Sequence, residues 1–338
     1  MLRAVALAIA AVGPGLLIAA CNSQDADDGA LVMYSGRSQA IVQPLVERFE
    51  AQSGIDVDVR YGGTSELAIA LMQEGDRSRA DLFWGQDAGA LGALDSADLL
   101  APLGEGVDAE FESAFRGTGD TWLPTSGRAR VLAYSPSRVS EGELPSSVFE
   151  LAEPAWQGRL GWAPTNASFQ AFVTAMVAEH GEAKTRSWLE GVRENGAEAY
   201  ANNSALLRAV AAGEVDAVLT NHYYLLRMKA DDPDFPVEQT AFAAGDIGNL
   251  VNVAGIARVA ASSRQEDAEA FIAAVLADDA QRFFAEEVFE HPVTTPAYED
   301  EPRAGAADRV RDRRPDVNFE AMADLDASLS LLRDVGLL

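Results

Sequence analysis

Two adjacent tyrosines, Tyr223 and Tyr224, are the residues of this sequence best suited to metal chemistry. A phenolate is a hard anionic oxygen donor, although a free phenol keeps its proton up to a pH of about 10. A strong positive charge beside the phenol favours the ionised form, and a trivalent metal ion would supply that charge. The alternative is that the two rings only cover the end of a sheet and leave their hydroxyls in water.

The segment before the pair positions it. The apolar run at residues 215–219 predicts a short buried strand, and Thr220 and Asn221 can cap a helix that follows. Open α/β sheets bind their ligands at the carboxyl ends of strands. In the first, irregular turn of a helix both phenols could face one cleft, whereas neighbours deep in a regular helix diverge by roughly 100°.

The amino-terminal half alternates strands and helices. Alternating or apolar runs predict strands at residues 30–34, 55–61 and 80–84, each followed by a polar loop. This β-α-β rhythm indicates an α/β fold with a mostly parallel sheet, so the three loops should share one edge of the sheet. The apolar run at residues 129–134 predicts a strand that crosses to a second lobe, and residues 248–259 predict a strand that crosses back.

A second kind of chemistry is predicted before two other helices. The polar turn at residues 164–168 precedes a helix predicted at residues 169–179, and free N–H groups at a helix amino terminus suit an oxyanion. Capping by Asn166 or Thr165 alone would explain the same residues. Asn202 and Asn203 precede a further predicted helix and offer a second set of donors.

The amino terminus predicts export. Residues 1–20 combine a short basic start, an apolar run and small residues, which is the layout of a signal peptide. The last of these residues and Cys21 resemble the lipobox of bacterial lipoproteins, which implies acylation of Cys21. Cys21 is the only cysteine of the 338 residues, so it has no disulfide partner within the chain. Residues 21–29 then read as a lipidated tether.

Composition and motifs exclude several functions. The formal net charge of −27 and the lack of a basic patch argue against nucleic acid as a partner. The chain has three histidines, no HExxH sequence and no glycine-rich phosphate loop, so it does not look like an enzyme. His222 is a minor candidate for metal ligation, while His180 and His291 are interpreted as structural.

With these residues, the chain resembles the ferric-iron-binding proteins of bacterial ABC transporters, which have the type II periplasmic-binding-protein fold. The motifs that carry the resemblance are Tyr34-Ser35-Gly36-Arg37, Phe49-Glu50 with Gly54-Ile55, Ala80-Asp81-Leu82-Phe83, Ser126-Gly127-Arg128-Ala129-Arg130-Val131, Asn203-Ser204 and Asn221-His222-Tyr223-Tyr224. The resemblance implies a two-lobed clamp with crossing hinge strands that closes over Fe³⁺, with a synergistic anion such as carbonate or phosphate. It implies Tyr223 and Tyr224 as iron ligands and, as anion contacts, Asn166, Ala167, Ser168, Asn203 and Asn221.

The chain also departs from that family. Ser38-Gln39 stands where some members have a histidine or tyrosine, Gln86 where some have a glutamate, and Phe169 where others have a third tyrosine. Anions or water would then complete the iron site. Arg37 is predicted to hold such an anion and to face the turn at residues 166–168, the alternative being a surface salt bridge. Ser38, Gln86 and Asp87 are predicted to line the cleft.

We therefore expect the chain to be a monomeric lipoprotein on the periplasmic or extracellular face of the cell membrane. Its expected function is to deliver ferric iron to an ABC permease. Its expected lobes are residues 30–127 with 252–303, and residues 128–251 with 304–338. Two alternatives stay open. The same fold could bind a small organic anion or phosphonate, or the chain could be a metal-dependent enzyme.

Overall fold

The computed structural model describes residues 29–104, 107, 110–111, 120–299, 313–317 and 325–338. The predicted signal peptide, Cys21 and all of the tether except Gly29 lie outside these residues. Within them, nine strands form one mixed sheet, and helices make most of the connections. No helix in this part of the chain has the length and apolar character needed to cross a bilayer.

The strands are β1 (Leu31–Ser35), β2 (Val57–Tyr61), β3 (Leu82–Gly85), β4 (Trp122–Tyr134), β5 (Leu160–Trp162), β6 (Glu198–Ala199), β7 (Ala217–Asn221), β8 (Glu238–Thr240) and β9 (Val251–Arg258). The α-helices are α1 (Gln39–Ser53), α2 (Thr64–Glu74), α3 (Ala88–Ser96), α4 (Ala167–His180), α5 (Glu182–Glu194), α6 (Asn203–Ala212), α7 (His222–Asp231), α8 (Gln265–Leu276), α9 (Asp278–Phe283), α10 (Thr295–Glu299) and α11 (Leu325–Asp334).

The first half of the sheet has the predicted β-α-β organisation. β1 lies between β2 and β3 and is parallel to both. The connecting helix α1 buries an apolar face that includes Ile41, Leu45 and Phe49. It ends at Gly54, whose φ of 74° is a left-handed conformation that glycine adopts without the steric cost of a Cβ.

The three polar loops of this half meet at one edge, as the sequence predicts. The N–H of Gly36 donates to the carbonyl of Trp84 at 2.9 Å, and the N–H of Gln86 donates to Thr64 Oγ1 at 3.1 Å. A Cβ on Gly36 would lie 2.0 Å from Thr64 Oγ1, so only glycine allows this close approach. The loops after β1 and β3 are therefore packed directly against the start of α2.

The long strand β4 joins the two halves of the sheet. Its first part, Trp122 to Ala129, pairs antiparallel with β9, and its second part, Arg130 to Tyr134, pairs antiparallel with β7. The sequence predicts the crossing at residues 129–134, but the strand begins earlier, at Trp122. The predicted return strand agrees with β9, which also pairs with β3.

The second half of the sheet is built around β7. This strand is buried along its whole length and is parallel to β5, which in turn pairs with β6. The helix α9 ends at Phe283, and a π-helical turn, Phe284–Val288, follows it. Phe289 then adopts a φ of 60°, which redirects the chain toward β4.

Candidate functional site

The tyrosine pair lies at the predicted strand-to-helix junction. β7 ends at Asn221, and α7 begins at His222, so both tyrosines are in the first turn of the helix. Their rings stack with centroids 4.3 Å apart and planes inclined by 28°. Tyr223 is buried and Tyr224 is half-buried. Both side chains line one cavity of about 120 Å³. The two phenols therefore share one face, although they are neighbours in the sequence.

The cavity is lined by residues from both halves of the sheet. They are Gln86, Asp87, Arg128, Arg130, Asn166, Ala167, Ser168, Ala171, Asn221, Tyr223, Tyr224, Leu250 and Asn252. This set contains the predicted residues Gln86, Asp87 and Asn221 together with the predicted anion turn. The described residues contain no group of three or more His, Cys, Asp or Glu side chains that could hold a metal ion. Among the residues that line the cavity, the ionisable oxygen donors are the phenols of Tyr223 and Tyr224 and the carboxylate of Asp87.

The surroundings of Tyr223 favour its neutral form when no metal is present. Burial raises the pKa of Tyr223, and the nearby Tyr224 and Glu290 raise it further. Arg128 acts in the opposite direction, because its positive charge favours the phenolate. A cation bound at the hydroxyl would have to displace the proton.

The opposite wall of the cavity is the amino terminus of α4. Asn166 Oδ1 accepts hydrogen bonds from the N–H of Ser168 at 3.0 Å and from Ser168 Oγ at 2.6 Å. The predicted capping is therefore present, and Asn166, Ala167 and Ser168 also line the cavity. Asn203 does not line it. Its Nδ2 donates to Ser168 Oγ at 3.2 Å, so Asn203 supports the turn from behind.

Two buried arginines contribute positive charge to the cavity. Arg128 and Arg130 alternate with Ala129 along β4, so their side chains leave the strand on the same face. Neither arginine has a salt bridge among the described residues, and both Nε atoms are buried without a hydrogen-bond partner there. Both residues lie within a motif that carries the family resemblance, but the sequence alone indicates no role for them. Their i, i+2 spacing in an apolar strand is the signal that could have identified them.

The hydrogen-bond partners of these arginines are neutral acceptors. Arg130 contacts Ser168 Oγ at 3.4 Å and the carbonyl of Leu219 at 3.5 Å, and Arg128 donates to the carbonyl of Gln86. Burial lowers the pKa of Arg130 to about 9, while Tyr224 and Tyr223 act in the opposite direction. Arg130 therefore stays charged at neutral pH. Burying a cation without an anionic partner is costly, so this arrangement favours an anion in the cavity.

Arg37 takes a different place from the one predicted. Its side chain is fully buried, does not line the cavity and forms a bidentate ion pair with Glu290, with Nη2–Oε2 and Nη1–Oε1 distances of 2.8 and 3.2 Å. Burial opposes ionisation of Glu290, but Arg37, Arg128 and the hydroxyl of Ser126 together lower its pKa. The charge of Arg37 is thus already compensated. Arg37 therefore forms neither the predicted anion contact nor the alternative, a surface salt bridge.

The remaining predicted cleft residues divide into two groups. Gln86 lines the cavity and accepts a hydrogen bond from Arg37 Nη1 at 3.0 Å. Asp87 also lines it, while its Oδ1 caps α3 by accepting the N–H of Ala90 at 3.1 Å. Ser38 is exposed at the start of α1 and does not line the cavity.

His222 is buried behind the tyrosines. Its Nδ1 accepts the N–H of Ala129 at 3.1 Å, and its ring stacks on that of His291 at 4.4 Å. Burial lowers the pKa of His222 well below its ordinary range, and His291 lowers it further. The imidazole is therefore neutral at physiological pH. It does not line the cavity, so the structure gives it a supporting position.

Comparison with known proteins places this geometry in a family. A model of the family described as "Bacterial extracellular solute-binding protein" matches residues 79–314. The Fe(3+)-binding periplasmic protein of Serratia marcescens is 34% identical over 79% of this chain and 81% of its own length.

Solved structures agree with this match. Iron-bound HitA from Pseudomonas aeruginosa superposes with a TM-score of 0.83 at 32% identity, covering 91% of this chain and 99% of that one. A Trichodesmium protein in complex with iron and citrate ligands superposes with a TM-score of 0.79 at 27% identity, over 92% and 100% of the two chains. The predicted α/β, type II periplasmic-binding-protein fold is confirmed. The chain belongs to the bacterial extracellular solute-binding proteins and resembles their ferric-iron-binding members in sequence and fold.

Proposed function

We propose that this protein captures ferric iron in the cavity, with Tyr223 and Tyr224 as phenolate ligands, and delivers it to an ABC permease. The observation that carries the proposal is the stacked tyrosine pair, whose hydroxyl-bearing rings line one cavity at a helix amino terminus. The positive end of the helix dipole also favours ionised phenols there. The Serratia relative is named an Fe(3+)-binding periplasmic protein, which supports ferric iron as the ligand.

The charges of the cavity support an anion as the companion of the metal. Fe³⁺ bound by two phenolates keeps one net positive charge. Arg128 and Arg130 add two positive charges and Asp87 removes one, while Arg37 and Glu290 compensate each other. An anion with two negative charges, such as carbonate or hydrogen phosphate, would neutralise the remainder. We assign its contacts to the α4 amino terminus, Asn221 and Arg130, with Arg130 in the role first predicted for Arg37.

An organic anion is the second candidate ligand. Within the described residues the two arginines form no ion pair with a carboxylate, so they would suit a polycarboxylate, and the Trichodesmium relative is described with both iron and citrate. A multidentate anion of this kind could also complete the coordination of iron that two phenolates leave open. The distinguishing property is whether the anion binds alone or only together with the metal.

We further propose that the protein acts as a monomer without enzymatic activity. Its two lobes would be residues 30–127 with 252–303 and residues 128–251 with 304–338, and they would close over the iron. The position of the cavity supports this division, because its lining comes from the loop after β3 on one side and from α4 and α7 on the other. Fold resemblance alone does not assign the ligand, so the function depends on the cavity residues.

Membrane attachment through Cys21 is the third part of the proposal. The sequence around Cys21 supports a lipid anchor on the periplasmic or extracellular face, which would keep the protein close to its permease. In cells, Cys21→Ser should move the protein from the membrane fraction to the soluble fraction or stop its processing. Normal processing with unchanged membrane retention would contradict the anchor.

Titration of the purified protein with ferric nitrilotriacetate, followed by gel filtration, tests the ligand. We expect one iron per chain and a visible phenolate-to-Fe³⁺ charge-transfer band, which strengthens when carbonate, phosphate or citrate is supplied. Calorimetry with each anion alone provides the comparison. Tight binding of citrate without iron, and no coloured complex with iron, would favour the second candidate over ferric iron.

A further inference from the structure

Residues 284–291 form a short segment that we call the connector. It consists of the π-helical turn Phe284–Val288, Phe289 in a left-handed conformation, and the buried residues Glu290 and His291. We infer that the connector positions the tyrosine helix, with His222 and Arg227 as positioning residues that hold the first turn of α7 so that both phenols face the cavity. The inference rests on the proposed function and adds residues that do not touch the ligand.

Side chains of α7 reach the connector at two points. Arg227 Nη2 donates to the carbonyl of Val288 at 3.1 Å, and the same guanidinium lies 4.8 Å from the centre of the Tyr223 ring. One turn earlier, the rings of His222 and His291 stack with planes inclined by only 7°. The Tyr223 ring packs edge-on to His222, with centroids 5.9 Å apart. Tyr223 is therefore held between two residues that both contact the connector.

His222 also binds backbone on two elements. Its Nδ1 accepts the N–H of Ala129 on β4, and it forms a second hydrogen bond with the backbone of Phe289 in the connector. Since Nδ1 is the acceptor, the proton of the neutral ring is assigned to Nε2. A single neutral imidazole thus ties α7 to both β4 and the connector.

The connector forms hydrogen bonds with β4 and an ion pair with the loop after β1. His291 and Gly127 exchange two backbone hydrogen bonds of 2.9 and 2.7 Å. Glu290 accepts the hydroxyl of Ser126 at 2.6 Å and pairs with Arg37 from the loop after β1. These contacts hold Phe289 at a positive φ, which is unfavourable for a residue with a Cβ and persists only where the surroundings fix it. The orientation of the tyrosines therefore depends on a fixed chain of contacts.

Two substitutions at His222 separate positioning from packing. His222→Leu replaces the imidazole with an apolar side chain of similar size and removes the hydrogen bond to Ala129 and the stacking on His291, whereas His222→Asn keeps an acceptor near the position of Nδ1. His180→Leu, at the end of α4, is the matched control because it lies away from the cavity. Hydrogen exchange of the iron-free protein and ferric-iron affinity should be measured for all three variants.

We expect His222→Leu to speed exchange at Ala129 and in the first turn of α7 and to weaken iron binding about 10- to 100-fold, the range for residues that orient metal ligands. His222→Asn should restore the protection of Ala129 and most of the affinity, and His180→Leu should change neither. Wild-type exchange and affinity in His222→Leu would overturn the inference. So would a loss of affinity in His222→Leu that His222→Asn does not reduce.

Arg227→Met provides a second test in case His222→Leu does not fold. Arg227 is only half-buried, so its substitution should disturb folding less. This variant should shift the charge-transfer band and weaken iron binding while the iron-free protein melts as the wild type does. An unchanged band and affinity would count against the inference. If wild-type protein binds no iron, the proposed function fails, and exchange in the iron-free variants still decides whether the connector orders α7.

Discussion

Two strand-to-helix junctions face each other across the cavity, and they are suited to opposite charges. At one junction, β5 leads to α4, whose amino terminus lies beside Arg130 and contains no anionic side chain. At the other, β7 leads to α7, whose first turn carries two phenols. Both helix amino termini are the positive ends of helix dipoles. The difference lies in the side chains, which add donors for an anion at α4 and oxygen ligands for a cation at α7.

Capping explains how the two junctions differ locally. The first turn of α4 is closed by Asn166 Oδ1, which accepts the N–H of Ser168. Asn221 makes no such bond at α7, where buried His222 holds the first turn through Ala129 instead. A small capping residue keeps the α4 end open to a ligand. At α7 the space is filled by aromatic rings, which places the chemistry on the side chains. The same backbone geometry therefore supports two different binding functions.

Of the changes at the two junctions, removal of the tyrosine hydroxyls should weaken iron binding most. Tyr223→Phe and Tyr224→Phe each delete one oxygen ligand and keep the ring, so each should weaken ferric-iron binding by more than about 100-fold, beyond the loss expected for an outer partner of the metal. The double variant should lose the charge-transfer band. Melting of the iron-free protein should stay close to that of the wild type. A single variant that retained wild-type affinity and colour would show that one of the tyrosines is only a packing residue.

Removing the cation at the α4 junction should have the next largest effect. Arg130→Met should weaken iron binding about 10- to 100-fold in carbonate buffer and reduce the dependence of the remaining binding on the anion. The iron-free protein should not lose stability, because the variant removes a buried charge that has no carboxylate partner in the described part of the chain. Affinity and melting temperature measured together check both parts.

Arg37→Met is the matched control for that variant, since it removes another buried arginine. It leaves Glu290 buried without its partner, which should lower the free energy of unfolding by about 3–5 kcal/mol. If Arg130→Met is the more destabilising of the two in the iron-free state, Arg130 has a structural role that its contacts do not indicate.

The capping residue should have the smallest effect. Asn166→Ala should lower the free energy of unfolding by about 1 kcal/mol through the lost cap and weaken anion-assisted iron binding by up to about 10-fold. Asn202→Ala removes a similar cap from α6, where Asn202 Oδ1 accepts the N–H of Ala205 at 2.9 Å. The two variants should lose similar stability, but only Asn166→Ala should lose affinity. If the two variants bind iron with equal affinity, the α4 turn is not part of the anion site.

Local sequence patterns predicted much of this arrangement. The β-α-β rhythm predicted the first half of the sheet, and polar residues after each strand predicted which loops share an edge. Tyr223 and Tyr224 were identified because two hard donors follow directly on a buried strand. Each of these features depends on residues that are close in the sequence, so periodicity and turn chemistry are sufficient to find them.

The parts that could not be predicted depend on distant residues. Arg37 and Glu290 are separated by 253 positions, so nothing near Arg37 indicated that its charge would be compensated. The same holds for the stacking of His222 on His291. Arg128 and Arg130 are a different case, because their alternation in a strand was visible. Only the course of β4 past the cavity shows that both side chains are buried without a carboxylate partner among the residues that the structure describes.

The number of protons released with each bound iron tests the two-phenolate site most directly. Burial raises the pKa of Tyr223, so this phenol is protonated in the iron-free protein throughout the range below a pH of about 10. Each phenolate that forms on iron binding must release one proton, and the affinity should fall as the pH falls. At a fixed pH and with the same ferric source, wild-type protein should release one more proton per iron than Tyr223→Phe and one more than Tyr224→Phe. Its affinity should accordingly fall by about 10-fold more per unit decrease in pH than that of either variant. Equal proton release by the wild type and either variant would contradict the assignment of both tyrosines as iron ligands.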